Sequence, residues 1–420
     1  MLAIAIEALI KIGLIIGILM TAAAYLVLAE RWIAAWIQDR IGPNRVGIPL
    51  TNIKMFGLGQ PAADGVKFLF KAQYTPAHVD KALYFLAPIT IFCTALAAFA
   101  FIPFGHVLPT DILPASWGFT DALGHAIPIQ LVVAPKIDAG MIFIFAMGSI
   151  SVYGVVLGGW ASNNKYSFLG GLRSSAQLIA YELPMGLGIL GVVLAAGSLR
   201  LDDIIMQQAQ SGVWNIFLQP LGFIVFAIAS CAEASRMPFD LPECESELIG
   251  GYHTEYFGVK LLMYLVGEYL HMVAASMLIV ILFLGGWHLW GITGSGEHAT
   301  LIEAILRILV LNGKALAVIL FFMVVRWSWS RFRFDQLMSL AWLTMLPVGM
   351  VNVAFVAIWE EYGSRWAADH GLPPALVMCV VGTGVMLLSW FVASTMSTNM
   401  VDNLPRRGPV APSFAADELA

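Results

Sequence analysis

Long apolar runs separated by short polar connections fill most of the chain. The runs lie at 2–29, 82–104, 137–159, 176–197, 216–234, 261–290, 303–325, 342–359 and 374–396. A helix rises about 1.5 Å per residue, so about 20 residues cross a hydrocarbon core of about 30 Å. The runs are continuous, without two-residue alternation, which favours helices over a closed barrel. The pattern predicts an all-α membrane bundle of eight to nine spanning helices; the last two runs are the least sharply bounded. Residues 1–401 form one integral membrane domain on this reading, with long loops at 30–81 and 235–260. The tail at 402–420, rich in Pro and Ala, is expected to be mobile. Ala22-Ala23-Ala24 resembles a signal cleavage site. However, no basic n-region precedes the run, and the run is too long for a signal core, so it is read as a retained span.

The basic residues are unevenly spread between alternate loops. Sixteen of the 22 lysines and arginines fall in the first, third, fifth and seventh loops and in the tail. Lys136, Arg200 and Arg365 fall in the other loops, and Lys11, Arg307 and Lys314 lie within spans. Such a split predicts the N-terminus outside and the basic loops cytoplasmic.

Composition narrows the classes further. The chain is 59% hydrophobic and 12% charged, whereas a soluble domain is about 45–50% apolar and about 25% charged. A soluble enzyme and a disordered chain are excluded. A net charge of −5 offers nucleic acid no attraction. Cys93, Cys231, Cys244 and Cys379 include no CxxC pair, which argues against a disulfide framework, an iron–sulfur site or a structural zinc.

The polar connections hold more than solvating residues. The first reads Glu30-Arg31, then Arg40-Ile41-Gly42-Pro43-Asn44-Arg45-Val46-Gly47; Gly-Pro-Asn predicts a fixed turn. Arginines at a membrane boundary can be simple anchors, but that does not explain Glu30. Gln60-Pro61-Ala62-Ala63-Asp64 opens a segment in which Asp64, Lys67 and Lys71 share one face and Val66, Leu69 and Phe70 another. This predicts an interfacial amphipathic helix begun by Pro61. Arg173, Gln177, Tyr181 and Glu182 form a polar stripe. The loop that follows Glu233 is dense in carboxylates, among them Glu243, Glu245 and Glu247, interleaved with apolar residues. Packed together, such acids cannot all ionise cheaply. Inside the spans Glu182, Glu233, Glu268 and Lys314 are the polar exceptions, and an intramembrane ionisable group is read as functional first.

On four stretches the chain resembles the H-subunit family of proton-pumping NADH:quinone oxidoreductase, respiratory complex I. They are residues 40–47, residues 60–64, Ser162-Asn163-Asn164-Lys165-Tyr166-Ser167 and the 236–256 loop. A fifth, Arg331-Phe332-Arg333-Phe334-Asp335-Gln336-Leu337, fits as well. The resemblance runs over 1–355. It implies a bacterial inner-membrane protein at the heel of the membrane arm, forming much of the quinone chamber. Peripheral-arm quinone-site and iron–sulfur subunits would dock on its loops, with antiporter-like and small membrane-arm subunits and lipid around its spans. The implied substrate is ubiquinone or menaquinone, with FMN and iron–sulfur clusters in partner subunits and no metal of its own. Glu182, Glu233 and Glu268 match the family's proton-relay glutamates, and Glu243, Glu245 and Glu247 its acidic loop. Glu30, Arg31, Arg45, Asp64, Lys67 and Arg331 match its quinone-binding positions. Lys71-Ala72 lacks a family glutamate, Ser330 and Phe332 replace a proline and a tyrosine, and Leu343 replaces a lysine. Two other classes fit parts of the pattern. One is the related membrane protein of a ferredoxin-driven dehydrogenase or hydrogenase; the other is a stand-alone transporter, which the absence of an internal repeat disfavours.

Overall fold

The computed structural model describes residues 2–47, 56–105, 107–108, 129–134, 137–236, 238–240, 250–290, 292–293 and 300–396. Eight helices among them are long and apolar enough to cross a membrane, and one further apolar helix is shorter. In order come α1 (Leu2–Ile37), α2 (Gln60–Phe70), α3 (Lys81–Ala98), α4 (Gly140–Ala161), α5 (Lys165–Ala196) and α6 (Leu201–Ser211). Then follow α7 (Asn215–Leu218), α8 (Pro220–Glu233), α9 (Val259–Phe283), α10 (Leu301–Ser328), a penultimate helix at Phe334–Asp369 and a last one at Pro374–Met396. Two short strands, β1 (Val107–Leu108) and β2 (Ile129–Gln130), pair antiparallel between α3 and α4. The expected polytopic helical bundle is what forms.

Local sequence accounts for several helix ends. The Asp80 carboxylate accepts from the backbone N–H groups of Ala82 and Leu83 and starts α3. The Asn164 side chain accepts from the Tyr166 N–H at 3.0 Å and starts α5, and Gly197, at φ +64°, ends it. Thr300 and Glu303 form a reciprocal capping box on α10. Each such cap satisfies backbone groups that a helix end leaves open.

The core is built around α9. In its most apolar window 83% of residues are enclosed by protein, against 22% for α1 and 11% for the last helix. Packed around α9 are α1, α3, α6, α8 and α10, while α5 packs on α4, α8 and the penultimate helix. The outer helices turn residues such as Leu9, Leu309 and Leu387 outward, as a lipid-facing surface requires.

Four departures from the predicted elements matter. Helix α1 continues to Ile37, so Glu30 and Arg31 are helical rather than in a loop. The predicted span at 216–234 is broken at Gln219 into α7 and a 14-residue α8 opened by Pro220; at about 21 Å, α8 is too short to cross unaided. Helix α6 is absent from the predicted elements, because eleven residues with few apolar positions fall below any spanning pattern. The 342–359 run extends over Phe334–Asp369 through π-helical turns at Leu340–Met345 and Trp359–Gly363. As predicted, α2 begins with proline at its N-terminus, and it buries no residue. The tail at 402–420 lies outside the described residues.

Candidate functional site

At the C-terminal end of α1 a cavity of about 940 Å³ opens. Glu30, Arg31, Arg40, Arg45, Gln60, Tyr269 and Trp327 give it polar walls, and Val27, Ala34, Ile41 and Val46 apolar ones. Successive helical residues diverge by about 100°, so Glu30 and Arg31 face different ways. Glu30 turns inward and is 7% exposed. One carboxylate oxygen meets Arg326 at 2.5 Å; the other accepts the Tyr269 hydroxyl at 2.5 Å and lies 3.7 Å from Arg236. The Arg236 guanidinium covers the Tyr269 ring at 4.3 Å. Arg31 turns out and pairs with Asp64 of α2 at 2.8 Å, and Gln60 donates to the same carboxylate at 3.1 Å. The Gly-Pro-Asn turn folds back on α1: Trp32 donates to the Pro43 carbonyl at 3.0 Å. A Cβ on Gly42 would lie 2.5 Å from the Trp32 ring, so only glycine lets the turn close.

A second group of polar residues lies deeper, on α4, α5, α8 and α9. The Ser149 hydroxyl donates to Glu182. Glu233, in the last turn of α8, is within electrostatic reach of Glu182. Its carboxylate occupies the space left by Gly148, whose Cβ would come 3.0 Å from it. The Tyr252 hydroxyl donates to Glu268 at 3.2 Å. Two small voids of about 30 Å³ each adjoin this group, and Glu233 walls both. Tyr252 meets Tyr264 edge-on, and Tyr264 meets Tyr256, which is stacked on Tyr84 at 4.3 Å. Burial holds the Tyr256 phenol above its ordinary pKa, so it remains a neutral donor. The segment carrying Tyr252 lies against α5, where a Cβ on Gly170 would meet Gly251 backbone at 2.7 Å.

The structure thus gathers Glu30, Arg31 and Arg45 around one cavity, with Asp64 held at its margin through Arg31. Lys67 is exposed on α2 and is not in the cavity wall. Arg331 is also outside that wall; it pairs with Asp240 at 3.2 Å and fastens the 238–240 turn, as does the Phe332 N–H on the Pro238 carbonyl. Glu233 stands between the other two glutamates, within electrostatic reach of Glu182 and sharing the wall of a void with Glu268. Glu243, Glu245 and Glu247 lie outside the described residues. The stripe residues Gln177 and Tyr181 are ties: Gln177 donates to the Ala232 and Phe239 carbonyls, and Tyr181 to that of Leu337. Sequence reasoning misses Tyr269, Tyr252, Ser149 and Arg326. Tyr269 follows an intramembrane glutamate, and Arg326 ends an apolar run. Those are the available signals, but their partners are remote in sequence.

Lys314, expected to be functional, has a structural task. Its ammonium donates to the carbonyls of Leu284, Gly286 and His288 at 2.7, 3.0 and 2.7 Å and covers the Trp214 ring at 4.4 Å. It caps the end of α9, where a cation also meets the helix dipole. A charge-assisted hydrogen bond contributes about 1.5–3 kcal/mol. Lys314→Met is therefore expected to lower thermal stability of the purified assembly by several degrees while leaving its specific activity near wild type. An unchanged melting temperature refutes the cap.

Among the described residues no three His, Cys, Asp or Glu side chains group as a metal site would need. Residues 10–357 match the family model described as NADH dehydrogenase. The chain is 44% identical over 343 residues to the first H subunit of NADH-quinone oxidoreductase from Geobacter metallireducens, covering 82% of this chain and 93% of that protein. It is 44% identical over 356 residues to the NADH-quinone oxidoreductase H subunit of Leptospira biflexa, covering 84% and 94%. The first H subunit of Cytophaga hutchinsonii is 44% identical over 331 residues, covering 79% and 90%. With a family model matched over most of its length and relatives this similar, the chain belongs to the NADH dehydrogenase family, that of the H subunit of NADH-quinone oxidoreductase.

Proposed function

We propose that this protein forms much of a quinone-binding chamber and couples quinone reduction to proton translocation. One observation carries the reading. Within a single turn, α9 presents Tyr269 to the Glu30 cluster at the cavity and Glu268 to the void beside Glu233. Quinone reduction takes two electrons and two protons. The apolar wall of Val27, Ala34, Ile41 and Val46 suits an isoprenoid tail, and the charged wall suits a head group whose intermediates carry charge. The electrons come from an iron–sulfur cluster in a partner subunit, which together with an FMN-bearing subunit belongs to the peripheral arm.

Reduction changes the charge in the cavity. Glu30, Arg236, Arg326 and Tyr269 feel that change, and Glu268, Glu233 and Glu182 redistribute protons toward antiporter-like membrane subunits. Glu243, Glu245 and Glu247, in the segment that follows Glu233 in the chain, take part as well. The N-terminus faces outward and the basic loops face the cytoplasm of a bacterial inner membrane.

Arg31→Ala and Asp64→Ala test the chamber. The pair is partly exposed, with side-chain exposures of 46% and 27%, and such pairs contribute about 0.2–1 kcal/mol. KM for a short-chain quinone is expected to rise about two- to fivefold with assembly and kcat close to wild type. Wild-type KM in both variants removes α2 and Arg31 from the quinone site.

A further inference from the structure

The two voids beside Glu233 have a second wall in common, His271. One void is bordered further by Gly148 and Ser230, the other by Tyr252 and Glu268. The imidazole Nε2 is enclosed and meets no hydrogen-bond partner among the described residues. An enclosed polar atom left without a partner is costly, and each void is of a size to hold one water. Glu268 and His271 are three residues apart on α9, so they share a face. An imidazole nitrogen can accept a proton and release it again. Neither the ion-pair network at the cavity nor the glutamate series uses this residue.

We propose that His271 carries protons between the two voids. On the side of Glu268 and Tyr252, Nε2 takes a proton from the enclosed water, and that water is reprotonated by Glu268. The imidazolium is balanced by the Glu233 carboxylate, which borders both voids. Nε2 then releases the same proton to the water in the void beside Gly148 and Ser230, that water gives up a proton to the Glu233 carboxylate on the same wall, and both the ring and the water return to neutral. One proton has moved and no bond other than N–H and O–H has changed. The assignment deepens the proton-coupling reading above and rests on it.

The test uses the whole complex in sealed membrane vesicles, with His271→Gln beside Glu233→Gln and Glu268→Gln. Glutamine still bonds to water but cannot accept a proton, so a role in filling or hydrating the site survives while proton carriage does not. Expected for His271→Gln are normal assembly and a wild-type NADH:hexaammineruthenium rate, which bypasses quinone. Coupled quinone turnover and proton uptake should fall about fivefold or more, with a larger solvent deuterium isotope effect. Wild-type pumping in His271→Gln, beside lost pumping in Glu233→Gln, overturns the carrier and leaves the glutamate path standing. Wild-type pumping in both glutamate variants overturns the path and the carrier together. If His271→Gln does not assemble, His271→Asn is read in the same way, and failure of both to assemble makes the residue structural and overturns the proposal.

Discussion

Glu30→Gln is expected to deplete the assembled complex and to remove most quinone reduction from what remains. Glu30 is the anion for two guanidiniums, Arg326 at 2.5 Å and Arg236 at 3.7 Å, and Arg236 is only 4% exposed. Taking one partner from a buried ion pair costs about 3–5 kcal/mol, because the remaining charge keeps its desolvation penalty. That is a large share of the about 5–15 kcal/mol that holds a domain folded. The amide also gives the Tyr269 hydroxyl a weaker acceptor than the carboxylate that now takes it at 2.5 Å, so the α1–α9 contact loosens at the cavity wall. Native gels and melting curves of the purified complex measure the effect. Glu30→Asp, which keeps the charge but shortens the reach, should fall between the two. Full assembly and an unchanged melting temperature in Glu30→Gln show that the cluster is hydrated and contributes little.

Glu268→Gln is expected to separate chemistry from structure. The Tyr252 hydroxyl donates to Glu268 at 3.2 Å, and an amide oxygen can accept the same bond. The change is nearly isosteric, so assembly and the quinone-independent NADH oxidation rate should hold. What the amide cannot do is release a proton. Positioned acid–base groups contribute about 100- to 10,000-fold to a proton-transfer step, so coupled turnover and pumping should drop by about tenfold or more even where another step limits the wild type. Proton uptake in vesicles, compared at equal complex content, measures it. Undiminished pumping in Glu268→Gln removes this glutamate from the path, whatever Glu233→Gln does.

Much of the architecture is legible in the chain itself. A spanning helix must satisfy its backbone internally and present apolar side chains to lipid for about twenty residues, which is a local property. Runs at 82–104, 137–159, 261–290 and 303–325 therefore coincide with α3, α4, α9 and α10. The opening of α2 at Pro61 is legible for the same reason: proline fixes its own backbone. Helix ends are less so. Glu30 reads as a loop residue because charge marks the edge of an apolar run, yet α1 carries on two turns beyond it because Arg326, Arg236 and Tyr269 satisfy it.

The class, most of the apolar helices, the amphipathic α2 and the carboxylates within apolar runs are readable along the chain, because each follows from residues close together in it. The tertiary structure alone decided which charges meet. Arg326 lies nearly three hundred residues from Glu30, and Tyr269 and Tyr252 reach their carboxylates only through the packing of α9. It also divided the polar residues of the spans into different tasks, giving Lys314 three carbonyls at a helix end and His271 a place between two voids. The physical reason is that helix formation is a matter of neighbours in sequence. The cost of a buried charge is met or left standing only by whatever side chains the packed helices bring within hydrogen-bonding distance.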